Sequence, residues 1–142
     1  MKKNPTFRLV ALGFVAAVII MVLGANIYAY TNNPEFCGGC HAMTEHYKTW
    51  QSATHKSVAC AECHLPHDNP ASYLGAKIYT GVVDSNAQVV RNYPLAEDIK
   101  LTEKGRDYLQ NNCLRCHDAA VANIMNDDTD CLSCHRSLVH EI

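Results

Sequence analysis

Four copies of the pattern Cys-x-x-Cys-His constrain this chain more than any other feature. Motif 1 is Cys37–His41, motif 2 is Cys60–His64, motif 3 is Cys113–His117 and motif 4 is Cys131–His135. In this pattern two thiols form thioether bonds to a porphyrin, and the adjacent histidine reaches the iron. All eight cysteines lie inside the motifs, which predicts four covalently bound haem c groups. The predicted attachment residues are Cys37, Cys40, Cys60, Cys63, Cys113, Cys116, Cys131 and Cys134.

Structural zinc and disulfide bonds are two other interpretations of these cysteines. Zinc does not require a histidine directly after every second cysteine. A disulfide within Cys-x-x-Cys closes a very short loop, so four of them would add little long-range constraint. Both are weaker explanations of the pattern than haem attachment, and four haem groups indicate electron transfer.

An uncharged segment precedes the motifs. Leu9 to Tyr30 is 22 residues long, which as a helix spans about 33 Å and crosses a bilayer core of roughly 30 Å. Lys2, Lys3 and Arg8 come before it. The positive-inside rule therefore predicts a cytoplasmic N-terminus and places the rest of the chain outside the inner membrane, in the periplasm.

A cleaved signal peptide is the alternative for this segment. Its apolar region normally has about 7–15 residues and ends in a small-x-small cleavage site. This segment is longer, and Tyr28 and Tyr30 at its end suit an interfacial aromatic belt. We therefore expect an uncleaved anchor within residues 1–30 and a tetrahaem domain over 31–142.

The size and charge of residues 31–142 limit what they can form. All 14 acidic and 9 of the 12 basic residues lie here, a formal net charge of −5 that gives no support to nucleic-acid binding. With 112 residues for four haems, the porphyrins must supply most of the core. We predict a mainly α domain with few or no strands. Pro70 is expected to start one helix, Tyr93-Pro94 to break the chain, and a second helix to run from Glu97 to Asn111 or to begin at Thr102. We expect short turns elsewhere.

Lys77 and Asp84 are the candidate catalytic residues. They lie seven residues apart, so on a helix they share one face, with Gly81 between them. An apolar slot with two convergent charges suits a small amphipathic ligand. The alternative is a helix that packs on haem and exposes both charges to water.

Four irons have eight axial positions, and the histidines alone can fill them. The four motif histidines are His41, His64, His117 and His135; outside the motifs lie His46, His55, His67 and His140. Met43, two residues after His41, complicates this scheme because a thioether ligand raises the iron potential relative to two histidines.

The motif regions resemble the NapC/NirT family of membrane-anchored cytochromes c. The resemblance rests on CGGCHAM, which begins with motif 1, on His55, on CAECHLPH, which begins with motif 2, and on CLSCHRSLVH, which begins with motif 4. It implies that Met43 ligates the first haem, whose other side is open near Asp84, and that Lys77 and Asp84 line a quinol site. The other implied ligands are His64 and His140 for the second haem, His117 and His55 for the third, and His135 for the fourth.

The resemblance leaves some positions open. The second ligand of the fourth haem is His67 or a side chain of a partner protein, and the choice between His41 and Met43 is not settled by the residues. His46 departs from the family pattern, and we expect it at the surface, with a quinol-site base as the alternative.

The function implied by the resemblance is menaquinol oxidation. Electrons would pass through four haems to a periplasmic multihaem reductase, with cytochrome c nitrite reductase as the expected partner in a hetero-oligomer. Alternatives are donation to another periplasmic reductase, a self-contained reductase of a small oxidant at an open haem, and a passive anchor for a larger cytochrome.

Overall fold

The computed structural model of the protein describes residues 4–90, 99–126, 129–135 and 137–140. In these ranges the regular structure is helical and no strand occurs, which confirms the predicted mainly α class. A 3-10 turn, His41–Met43, lies between the second and third helices. The helices are α1 (Pro5–Asn32), α2 (Pro34–Gly38), α3 (Thr44–Ser52), α4 (Cys60–His64), α5 (Pro70–Val90), α6 (Glu103–Val121) and α7 (Cys131–Cys134).

The chain forms two compact units, Met1–Asn33 and Pro34–Ile142. The first contains α1, which has 28 residues and an 18-residue window with a mean hydropathy of 2.5, and is therefore long and apolar enough to cross a membrane. Pro5 suits the first turn of this helix because its missing N–H would have no partner there. α1 includes all of the predicted segment Leu9–Tyr30. The assignment of residues 1–30 as an anchor and of residues 31–142 as a tetrahaem domain remains a prediction.

The second unit buries few side chains. Among the described residues, Ala42 and Leu65 are the buried hydrophobic side chains, and Asn112 is a buried polar one. A small domain normally needs a larger apolar core. The sparse protein core is therefore consistent with porphyrins as the main packing material of this unit.

Both predicted helix starts that fall on described residues are confirmed. α5 begins at Pro70, and the side chain of Asn69 accepts a hydrogen bond from Ser72 N at 2.9 Å. α6 begins after Thr102, whose Oγ1 accepts from Gly105 N at 3.0 Å, as an N-cap does. The break at Tyr93-Pro94 and the alternative start at Glu97 lie outside the described residues.

Two expectations about the helices were wrong. α6 does not end at Asn111 but continues to Val121 and carries motif 3. Residues 44–52 and motifs 2 and 4, expected in short turns, contain the helices α3, α4 and α7. Motifs 2 and 4 contain too few apolar residues to show a helical pattern, because cysteine and histidine occupy three of the five positions in each motif.

Candidate functional site

Three of the four motifs place their cysteines on helices. Two residues three positions apart on a helix lie on the same face, so both thiols can reach one porphyrin. In α7 the side chain of Asp130 caps the helix by accepting from Leu132 N at 2.9 Å. None of the eight cysteines takes part in a disulfide bond, so all of them are available for haem attachment.

Motif 1 is built differently, and its first glycine is required by packing. The Tyr47 ring lies so close to Gly38 that an added Cβ would stand 2.5 Å from the ring carbon Cγ. Tyr47 in turn stacks on Trp50 with ring centres 5.6 Å apart. Trp50 donates from Nε1 to Val58 O at 3.0 Å. This packing holds α2 and α3 together at motif 1.

The thiols of successive motifs lie beside each other. A hydrogen bond with Cys60 lowers the pKa of Cys37 to about 7 against the effect of burial, and the same contact raises the pKa of Cys60. Burial raises the pKa of Cys113 to about 11, with a further contribution from Cys131. Burial also raises the pKa of Cys63, and Cys116 adds to that shift. The neighbours are thus motifs 1 and 2, motifs 2 and 3, and motifs 3 and 4, in chain order.

Polar side chains of α6 hold motif 2 in place. The buried amide of Asn112 donates from Nδ2 to Cys63 O at 2.9 Å and to Leu65 O at 2.7 Å. Arg115 donates from Nη2 to Glu62 Oε2 at 2.6 Å and to Glu62 O at 3.2 Å. Glu62 and Arg115 are the variable residues of motifs 2 and 3, so this ion pair joins two attachment sequences directly.

Motif 4 is fixed to the same helix. Gln110 donates from Nε2 to Thr129 O at 2.8 Å and accepts from Cys131 N at 3.0 Å. Arg106 pairs with Asp130 at 2.6 Å. Our sequence analysis did not identify these residues; the opposite charges inside CAECH and CLRCH were the available signal for the Glu62–Arg115 pair.

Two pairs of imidazoles have the separation that one iron requires. The ring centres of His64 and His140 lie 6.2 Å apart, and those of His55 and His117 lie 6.1 Å apart. An imidazole nitrogen binds a transition metal at about 2 Å and the ring centre lies roughly 1 Å farther, so opposite ligands of one iron have centres about 6 Å apart. These are the two pairs that the sequence analysis assigned to the second and third haems.

His140 is oriented as a metal ligand. Its Nδ1 lies 3.1 Å from His46 O, a carbonyl that can only accept, so Nδ1 carries the proton and Nε2 keeps its lone pair. Desolvation, with the nearby His140 and His46, lowers the pKa of His64 to about 4. Burial also lowers the pKa of His140. Both imidazoles are therefore neutral near pH 7, the form that binds metal.

The fourth motif borders a cavity of about 380 Å³. Ser52, Ala53, Thr54, Cys134, His135, Ser137 and Leu138 line it. His67, a candidate second ligand for the fourth haem, is not in this lining; its Nε2 donates to Ala61 O at 3.3 Å and its ring lies 5.1 Å from that of Tyr73. The second ligand of the fourth haem stays open.

The charges of α5 act on motif 1. After the hydrogen bond from Cys60 and burial, the next effects on the Cys37 thiol come from Lys77, which lowers its pKa, and Asp84, which raises it. Burial raises the pKa of Asp84 itself. A Cβ on Gly81 would meet no atom within 4 Å, so open space lies between the two charges. Met43 ends the 3-10 turn that follows motif 1.

His46 is not the surface residue expected from the sequence. Its Nε2 is buried, and its ring meets that of His140 edge to face with centres 5.2 Å apart. His46 thus belongs to the surroundings of the His64–His140 pair.

The residues fit haem c by the chemistry of their donors. The thiols occur in pairs on one face of a short helix or turn, and two of the motif histidines face a second imidazole at the distance of an axial pair. Among the described residues, no group of three or more His, Cys, Asp and Glu side chains is arranged to hold a metal ion.

Comparison with known proteins gives consistent matches. The family model for the NapC/NirT cytochrome c family, N-terminal region, matches residues 1–142. Cytochrome c-type protein NrfH of Wolinella succinogenes is 29% identical over 126 residues, covering 78% of this chain and 70% of that protein. Cytochrome c nitrite reductase subunit NrfH of Nitratidesulfovibrio vulgaris is 26% identical over 135 residues, covering 94% and 83%.

A solved structure has the same fold. In the crystal structure of the cytochrome c nitrite reductase NrfHA complex bound to the HQNO inhibitor, one chain superposes with a TM-score of 0.76 at 27% identity. The match covers 90% of this chain and 87% of the other.

Proposed function

The chain belongs to the NapC/NirT cytochrome c family, and on that premise we propose that it is a membrane-anchored quinol dehydrogenase. It oxidises menaquinol and delivers the electrons to the catalytic subunit of a cytochrome c nitrite reductase. The relatives named NrfH and the NrfHA complex support this partner. Covalently bound haem c follows from family membership, and the four motifs set the number at four.

The observation that carries the proposal is the position of Lys77 and Asp84. Both charges act on Cys37, the first thiol of motif 1, and the thiols of motifs 1 to 4 neighbour each other in chain order. One end of the series of motifs therefore faces a carboxylate and an ammonium group. The other end, at motif 4, is where an electron acceptor would bind.

The chain's own residues divide the work of binding and proton transfer. Bound haem supplies one-electron redox chemistry, while His64, His140, His55 and His117 would hold the second and third irons. Met43 would hold the first iron and His135 the fourth. Lys77 orients the quinol oxygen, and Asp84 accepts its proton, since a carboxylate with a raised pKa is a stronger base than one with the ordinary pKa.

The anchor determines the side of the membrane on which quinol is oxidised. α1 is long and apolar enough to span a membrane, and Lys2, Lys3 and Arg8 precede its apolar segment. We assign the N-terminus to the cytoplasm and the tetrahaem domain to the periplasm. Quinol from the lipid then gives its protons and electrons on the periplasmic side.

Asp84→Asn tests the proton-acceptor role. We expect menaquinol-dependent haem reduction to slow roughly 10²- to 10⁴-fold, the usual contribution of a general base. Stopped-flow absorbance of the full holoprotein in detergent measures this rate. Reduction by dithionite, which needs no base, should be unchanged, and Asp107→Asn at an exposed site of α6 is the matched control.

The pH profile gives a second readout of the same variant. Only ionised Asp84 accepts a proton, so the wild-type rate should fall as pH falls through its pKa. Because partial desolvation raises that pKa, the fall should occur at higher pH than for an aspartate with the ordinary pKa. Wild-type rates in Asp84→Asn, or an unchanged acid limb, would refute the role of Asp84.

A further inference from the structure

One buried nitrogen of the chain lacks a hydrogen-bond partner. In the described part of the structure, Nε2 of His46 is the buried side-chain polar atom for which no partner is present. Buried polar groups nearly always have a partner, because leaving one unpaired costs about 1–3 kcal/mol. A group that binds at this place is therefore expected to form a hydrogen bond with His46 Nε2.

The surroundings of His46 restrict what that group can be. The backbone oxygen of His46 accepts from His140 Nδ1 at 3.1 Å, and the two rings meet edge to face. His140 faces His64 at the separation of two ligands on one iron. The position beside His46 is thus the edge of the site that these two imidazoles define.

We propose that His46 donates a hydrogen bond from Nε2 to a propionate of the haem held between His64 and His140. The proposal rests on the ligand pair assigned above and extends it to the edge of the cofactor. A haem with both axial positions filled offers two kinds of surface, an apolar ring and two carboxylates. Of these, a carboxylate is the acceptor that satisfies an N–H donor strongly.

The contact has a consequence for electron transfer. A propionate charge near the iron stabilises the ferric state, and a donor that neutralises part of this charge favours the ferrous state. His46 would therefore raise the reduction potential of the second haem. The role of His46 is then to set the reduction potential of the second haem, through which electrons pass from motif 1 to motif 3.

His46→Phe and His46→Gln form a matched pair of variants. Phenylalanine keeps the ring packing on His140 but has no donor, whereas the glutamine amide carries an N–H donor to about the same place. We expect His46→Phe to lower the ferrous-to-ferric ratio of this haem about three- to tenfold at the wild-type midpoint, where tenfold is 59 mV for one electron. His46→Gln should stay close to wild type.

The measurement is a potentiometric titration of the full holoprotein, followed by electron paramagnetic resonance. The low-spin signal of this haem is assigned by its change in His140→Met. Resonance Raman detection of the propionate bending vibration, shifted in His46→Phe and retained in His46→Gln, reports the contact itself. If the phenylalanine variant fails to assemble, His46→Leu, which also has no hydrogen-bond donor, takes its place.

Two results would overturn the proposal. Equal potentials and Raman bands in all variants would mean that Nε2 has no acceptor on the haem. Loss of the low-spin signal in His46→Phe would mean that His46 is itself an iron ligand. Chemical titrants are used throughout, so a failure of menaquinol oxidation would leave this test unaffected.

Discussion

The region around motifs 2–4 and the region around motif 1 are assembled in different ways. In the first, formed by α4, α6 and α7, hydrogen bonds from Gln110 and Asn112 and the Glu62–Arg115 pair join the motifs to one another. In the second, formed by Pro34–Ser52 and α5, the packing of Tyr47 on Gly38 fixes the motif. The large apolar residues of α5 are exposed, among them Ile78 and Val82.

The predicted iron ligands of these two regions also differ. In the proposed ligation, the histidines of motifs 2 and 3 each have a second imidazole about 6 Å away, a closed arrangement that would only carry electrons. Motif 1 has Met43 nearby and is within the electrostatic reach of Lys77 and Asp84. A fixed series of closed centres suits transfer between haems, and an open end with a base suits a substrate. The following variants test this division.

His55→Ala should have the largest effect, because it opens a closed centre. His117 would lose the imidazole 6.1 Å from it, so one low-spin signal should become high-spin in electron paramagnetic resonance. Menaquinol-dependent electron delivery past the third haem should fall about 10-fold or more, on the scale seen when metal-site residues are removed.

His67→Ala is the control for this variant. His67 also lies outside the motifs, but its Nε2 bonds to Ala61 O, so the number of low-spin signals should not change. An unchanged spectrum in His55→Ala would show that the His55–His117 pair is misassigned, whereas a lost signal in His67→Ala would identify His67 as the second ligand of the fourth haem.

Asn112→Ala tests the region of motifs 2–4 at its buried amide. The change leaves two carbonyl oxygens, of Cys63 and Leu65, without their donor. We expect a loss of about 1–3 kcal/mol in the free energy of unfolding. Denaturant unfolding of the holoprotein, followed by haem absorbance, measures it.

Asn111→Ala is a matched control, because Asn111 is the same residue type on the same helix but exposed. It should change stability by no more than about 0.5 kcal/mol. Equal changes in the two variants would mean that the contact of Asn112 with motif 2 makes no measurable contribution to stability.

The sequence predicted the elements that follow local rules. Thr102 and Pro70 predict helix starts through backbone chemistry that acts within a few residues, and both helix starts are confirmed. The role of Asn112 could not be predicted, because its partners lie 47 and 49 positions away. His46 was misjudged for the same reason: its burial depends on His140, which is 94 positions later.

Arg115→Met should have a smaller effect than Asn112→Ala, because it removes a partly exposed ion pair and not a buried amide. The Arg115–Glu62 pair joins motif 2 to motif 3, but its side chains are 38% and 43% exposed. Exposed pairs contribute about 0–1 kcal/mol, and salt screens them. We therefore expect a small loss of stability at low ionic strength that shrinks at high ionic strength, measured by denaturant unfolding of the holoprotein.

Lys48→Met removes an ion pair within one helix and is compared with Arg115→Met, which removes an ion pair between two motifs. Lys48 pairs with Glu45 at 2.7 Å inside α3, and both side chains are more exposed, at 61% and 58%. Its removal should cost less than the removal of Arg115, which also loses a hydrogen bond to the Glu62 backbone. If Lys48→Met cost as much, the ion pair between motifs 2 and 3 would contribute no more than an ordinary surface pair, and the buried amide of Asn112 would carry the connection.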